Sequence, residues 1–235
     1  MQIVNYDSKL CDLIVGDPSL IAVLNRFGIT LGVGDKTIAR VCDENGIDKT
    51  FLSTILNTYI NEDYVPCNGS NHFNAAKIVN YLQQTNAYYE HYLIPNIERH
   101  FNFLMSKNKS SNSSLLIIYK FFVEVKEELM SRIKDDREYL FPKVLKCFAD
   151  VDVRSDAETI ITPDIVQEDS IESKISDLLN MFVMHISGEY DGNLAHAVLI
   201  ALFGLKKDIN QNNRIRERVL NPIVAAIDSS KFCLP

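Results

Sequence analysis

Apolar side chains return every three or four positions through most of the chain, and the places where that rhythm breaks divide it into helices. In the first sixty residues the breaks are frequent. Asp17-Pro18 reads as an N-cap with proline at the first helical position, Leu20, Ile21, Val23, Leu24 and Phe27 follow, and Gly28 stands where a C-cap glycine belongs. After the turn-rich loop from Gly28 to Gly34, Asp35 is expected to cap a second helix ending near Gly46. Asp48 is expected to cap a third helix, which carries Phe51, Leu52, Ile55, Leu56 and Tyr59. Residues 61–72, with Pro66, Asn68, Gly69 and Ser70, lose the helical period and read as a linker.

Beyond residue 73 the periodic stretches become long. Ile78, Tyr81, Leu82, Tyr89, Leu93, Ile97, Phe101 and Leu104 describe one amphipathic helix that Pro95 should kink. Ile118, Phe122, Val125, Leu129, Ile133, Leu140 and Val144 describe a second. Thr162-Pro163 opens a third with Ile165, Ile171, Ile175, Leu178, Leu179, Phe182 and Ile186, and Gly188 is expected to end it. The fourth runs from about Asn193 through Leu202, Ile209 and Val219 to Ile223, with a bend at Pro222. The pattern predicts an all-α chain: a small helical module over 1–60, a linker over 61–72, and an up-down four-helix bundle over 73–235.

Composition narrows the chemistry. No apolar run reaches the roughly 20 residues that span a bilayer, and Met1–Leu10 lacks the basic-then-apolar layout of a signal peptide, so a cytoplasmic protein is expected. Five cysteines, without a CxxC pair, indicate neither a disulfide framework nor a zinc knuckle. A formal net charge of −7 with no segregated basic patch disfavours nucleic acid and anionic membrane. No phosphate loop or nucleophile elbow is present, and enzymatic activity is not indicated.

Helices two and four of the bundle share a layout: Arg132-xxx-Asp136-xxx-Leu140-Phe-Pro142 and Asn212-xxx-Arg216-xxx-Leu220-Asn-Pro222. Residues four apart project from one helical face, the geometry by which helix pairs feed a metal site in a bundle core. With Asp135-Asp-Arg-Glu-Tyr-Leu-Phe-Pro142 and Arg214-Ile-Arg-Glu-Arg-Val-Leu-Asn-Pro222, nearly the whole chain resembles the hemerythrin-like di-iron proteins of iron-sulfur cluster repair under nitrosative or oxidative stress. Val23-Leu-Asn-Arg-Phe-Gly-Ile29 and Val41-Cys-Asp-Glu-Asn-Gly-Ile-Asp48 look like that family's N-terminal domain.

The resemblance places the family's ligand positions on Asn86, Arg132, Asp136, Glu168, Asn212 and Arg216, none of them histidine, and its N-terminal cysteines on Gly32 and Val33. Imidazole and carboxylate hold non-heme iron, whereas a guanidinium has no lone pair to give. No cofactor is therefore expected. Arg132 and Arg216 are expected to meet Asp136 and Glu168, with Asn86 and Asn212 supplying hydrogen bonds, in a network where losing one member costs roughly 3–5 kcal/mol. The implied function is a metal-free regulatory or interaction protein, with a protein partner or self-association as a homodimer. The alternative is an iron-binding stress protein of the family's own type.

Other residues have ordinary readings beside functional ones. His72, His91, His100, His185 and His196 place no two on one face four apart, which fits surface and packing roles. Glu90 with His91, or Glu124, Glu127 and Glu128, could hold a displaced metal. Tyr88, Tyr89, Tyr92, Phe101, Phe103, Phe121 and Phe122 read as core, with a small-molecule cavity as the rival. Thr37–Leu56 faintly suggests a helix-turn-helix with Lys49 as almost its only positive charge. Cys42 and Cys67 are candidate oxidant sensors if their thiolates are stabilised.

Overall fold

The computed structural model describes residues 3–66, 75–107, 112–151 and 170–224, with side chains through 146 in the third stretch. Among them the fold is all-helical, and a single isolated bridge pairs Lys9 with Thr37. No helix among the described residues is long and apolar enough to cross a membrane.

Four short helices come first: α1 (Leu10–Gly16), α2 (Leu20–Arg26), α3 (Ile38–Asn45) and α4 (Lys49–Ile60). Helix α1 was not legible in the sequence, because its seven residues bury one side chain, Leu10, and so carry no apolar stripe. At α2 the backbone N–H of Ile29 bonds the carbonyl of Leu24 at 3.0 Å and that of Gly28 bonds Asn25 at 3.0 Å, a Schellman ending that requires Gly28 at φ +74°. Asp17 accepts from the N–H of Ser19 at 3.0 Å and so organises the turn before α2 rather than its first residue. The cap of α3 is Thr37, which accepts from the N–H of Arg40 at 3.3 Å, in place of the expected Asp35. Asp48 caps α4 as expected, accepting from the N–H of Phe51 at 3.0 Å.

The long helical runs have a common interruption. Helix α5 (Ala75–Tyr88) passes into α6 (Ile94–Lys107) through a π-helical turn, π1 (Tyr89–Leu93). Helix α7 (Ser113–Asp135) passes into α8 (Phe141–Val151) through π2 (Asp136–Leu140). Helix α9 (Ser170–His185) is uninterrupted, and α10 (Gly192–Ile215) ends in π3 (Arg216–Leu220), after which 221–224 are again helical. Thr162, Pro163 and Ile165, the expected opening of the third run, lie outside the described residues.

Each π turn closes on a Leu-x-Pro sequence: Leu93-Ile-Pro95, Leu140-Phe-Pro142 and Leu220-Asn-Pro222. Proline lacks an N–H and its ring strikes the carbonyl four residues back. In all three cases the residue before proline donates instead to the carbonyl five back, Ile94 to Tyr89, Phe141 to Asp136 and Asn221 to Arg216. One extra residue is thereby absorbed, and the buried face moves with it. Burial steps from Tyr89 to Ile94 and from Asp136 to Phe141, while Leu93 and Leu140, which a straight helical period puts inside, are only half-buried.

Two compact units emerge, and they do not follow the 61–72 boundary. One gathers the described residues among 1–84, 143–162 and 211–235, and the other those among 85–142 and 163–210. In the first, Leu10, Leu24, Ile38, Leu52, Leu56 and Leu82 are buried, and Phe27 packs against Phe51 and Tyr81 with ring centroids 5.7 and 5.3 Å apart. In the second, α7 packs along α9 around Phe101, Phe122 and Phe182, with Phe101 and Phe122 stacked at 4.7 Å. Each fully buried ring of this kind contributes about 1.5–3 kcal/mol relative to an exposed one.

Asp48 does two things at once, because its Oδ2 also meets Lys77 Nζ at 2.6 Å. The Lys77 hydrogen bond, then the Phe51 N–H, hold its carboxyl below the ordinary 3.8. A carboxyl depressed on folding stabilises above its unfolded pKa, and that contribution is lost as pH falls through the folded value. Asp48→Ala should lower stability at pH 7 by about 1 kcal/mol through loss of the cap. In urea titrations the gap to the wild type should narrow once the pH drops below 3.8.

Candidate functional site

The polar positions singled out by sequence sit at the π turns. Asn86 lies three residues before π1, Asp136 opens π2 and Arg216 opens π3. Of these, Asp136 is buried, Arg216 is half-buried, and Asn86 is buried within regular helix.

Asn86 and Asp136 are joined. Asn86 Nδ2 donates to Asp136 Oδ2 at 2.9 Å, with the two residues 5% and 4% exposed. The carboxylate thus has a neutral donor inside the unit. Asn86 Oδ1 is buried without a hydrogen-bond partner among the described residues. Arg132 is half-buried one helical turn before Asp136. Glu168 lies outside the described residues.

Asn212 belongs to the other unit, and its surroundings there contain a residue the sequence reading missed. Arg26, 5% exposed, points Nη1 at the Tyr81 hydroxyl (3.2 Å) and at Asn212 Oδ1 (3.4 Å). The Tyr81 hydroxyl in turn donates to Asn212 Oδ1 at 3.5 Å, and the guanidinium carbon stands 5.8 Å from the Tyr81 ring centroid. A buried guanidinium is tolerated where acceptors and an aromatic face compensate its lost water. The available signal was local: in Val23-Leu-Asn-Arg26-Phe27 an arginine stands beside the apolar stripe of a seven-residue helix. Arg216 is half-buried at the start of π3.

The remaining candidates resolve more simply. His91, His185 and His196 are exposed and His100 is half-buried, while His72 is outside the described residues. No group of three His, Cys, Asp or Glu among the described residues is placed to hold a metal. Glu128 binds Lys174 and Ser170, which hold its carboxyl below the usual range, and Glu90 pairs with Arg137. Phe101 and Phe122 are core, whereas Tyr92 and Phe103 are exposed. Every residue of α4 from Phe51 to Tyr59 is buried, so this helix has no free face for a DNA groove.

Cys42 is fully buried, and its thiol is pushed up to about 11, by burial first and the Asp43 charge second. A thiol held in its protonated form is a poor nucleophile, which argues against oxidant sensing at this position. Cys11 is half-buried, and Cys67, Cys147 and Cys233 are outside the described side chains.

No protein-family model, curated protein or solved structure matches the chain.

Two measurements check this arrangement. Asn86→Leu removes a donor from a buried carboxylate and should lower folding stability by about 1.5–3 kcal/mol in urea unfolding. An unchanged midpoint would show that the bond carries nothing. Iodoacetamide at pH 8 should leave Cys42 unmodified in the native protein and label it fully in urea, as read by peptide mass spectrometry.

Proposed function

We propose that this chain is a metal-independent regulatory or interaction protein, built on a hemerythrin-like up-down bundle whose ligand positions now serve as structural hydrogen-bonding groups. The observation that supports it most directly is the guanidinium of Arg26 held 3.4 Å from Asn212 Oδ1. The amide oxygen at this carried-over position accepts from a fixed cation that has no lone pair to give a metal and whose charge disfavours one nearby.

The second described position points the same way. Asp136 is the one carboxylate among Asn86, Arg132 and Asp136, the candidate positions described in its unit, and its Oδ2 already accepts from an amide. An amide, a guanidinium and a single carboxylate make a poor donor set for non-heme iron, and no step through iron follows.

The interaction half of the reading rests on matched surface residues. Tyr92 and Tyr139 occupy the fourth position of π1 and π2, 69% and 68% exposed, and the second positions of the same turns form the Glu90–Arg137 ion pair. Tyrosine holds a large rigid ring and a polar tip in water, the combination enriched at protein interfaces. A protein partner or a second copy of the chain is the proposed ligand.

Elemental analysis tests the proposal. Protein expressed in iron-supplemented medium and purified without chelator should contain close to no iron. A ratio of about two irons per chain, the stoichiometry of a di-iron bundle site, would overturn it in favour of the stress-protein alternative.

A further inference from the structure

We infer that the end of α10 acts as a strap that makes α4 and residues 211–220 open and close as a single cooperative element. The last four carbonyls of any helix lack intrahelical donors and gather negative potential. At the end of α4 two of those acceptors are met by one stripe of α10 and π3. Gln211 Nε2 donates to the Tyr59 carbonyl at 3.0 Å, and Arg214 Nη1 donates to the Thr58 carbonyl at 3.2 Å. Arg218 Nη1 continues the row at 2.6 Å to the Tyr64 carbonyl, just past the helix.

Gln211, Arg214 and Arg218 are spaced three and four apart, so one face of the helix supplies all three donors. Arg214 also reaches Glu62 with Nη2 at 3.3 Å, which uses its forked geometry as lysine could not. On the same stretch of chain, Asn212 accepts from Arg26 of α2 and from Tyr81 of α5. Every partner belongs to the unit that collects residues 1–84 and 211–235. The short N-terminal helices are therefore completed by the chain's far end, about 150 residues away in sequence.

Cooperative elements of this kind appear in native-state hydrogen exchange as amides sharing one opening reaction. The test uses the full chain. In the wild type, amides of 53–60 and 212–220 should exchange through one opening with the same urea dependence, distinct from that of α7 and α9. Arg214→Met should speed both groups by about tenfold and leave α7 and α9 unchanged. Different urea dependences for the two groups in the wild type would overturn the inference without need of any variant. So would an Arg214→Met effect confined to the amides nearest residue 58, or one spread equally over α7 and α9.

Discussion

A proline inside a helix must be reconciled with the carbonyl behind it, and the described residues make the same reconciliation three times. The ring removes a donor and crowds an acceptor, a combination costing about 3 kcal/mol in a regular helix. Here the turn before each proline widens, and the residue preceding proline bonds five back rather than four. The placement of Tyr89, Asp136 and Arg216 follows, since each opens such a turn. So does the burial of Ile94 and Phe141 in place of Leu93 and Leu140.

Several polar groups inside the units are treated as backbone groups are, by pairing, although Asn86 Oδ1 has no partner among the described residues. Asp136 receives an amide, the Arg26 guanidinium meets a hydroxyl, an amide oxygen and a ring face, and Asn57 bonds both the N–H and the carbonyl of Val4 at 2.8 and 2.9 Å. An unpaired buried group costs about 1–3 kcal/mol, whereas each pair adds only about 1. Such groups therefore specify which elements meet more than they add to stability.

What was legible in the sequence was local. Gly28 and Asp48 announce helix ends because a left-handed cap and an N-cap carboxylate act within four residues. The helical class was legible because the period recurs over many turns. Thr37 displaced Asp35 because both residues can cap and the choice depends on where the chain arrives, here beside Lys9. The one-residue slip at Leu93 and Leu140 was hidden because a period averaged over a long stretch smooths a single wide turn, although Leu-x-Pro marks it. Arg26 and Asn212 were the least accessible: they are 186 residues apart, and neither carries a sign of the other.

The wide turns also bear on how this chain can change in length. Because π2 takes in one residue beyond the regular count, removing one residue from 136–140 would leave the faces before and after it in their present directions. The same deletion in α7 would rotate everything downstream by about 100° and bring charged positions into the apolar interior. Pro142 is what makes even the tolerated loss unfavourable, since a regular turn would return the carbonyl to its ring. The proline thus guards the length of its own helix, and residues 136–140 are where a lineage could lose one codon without losing the core.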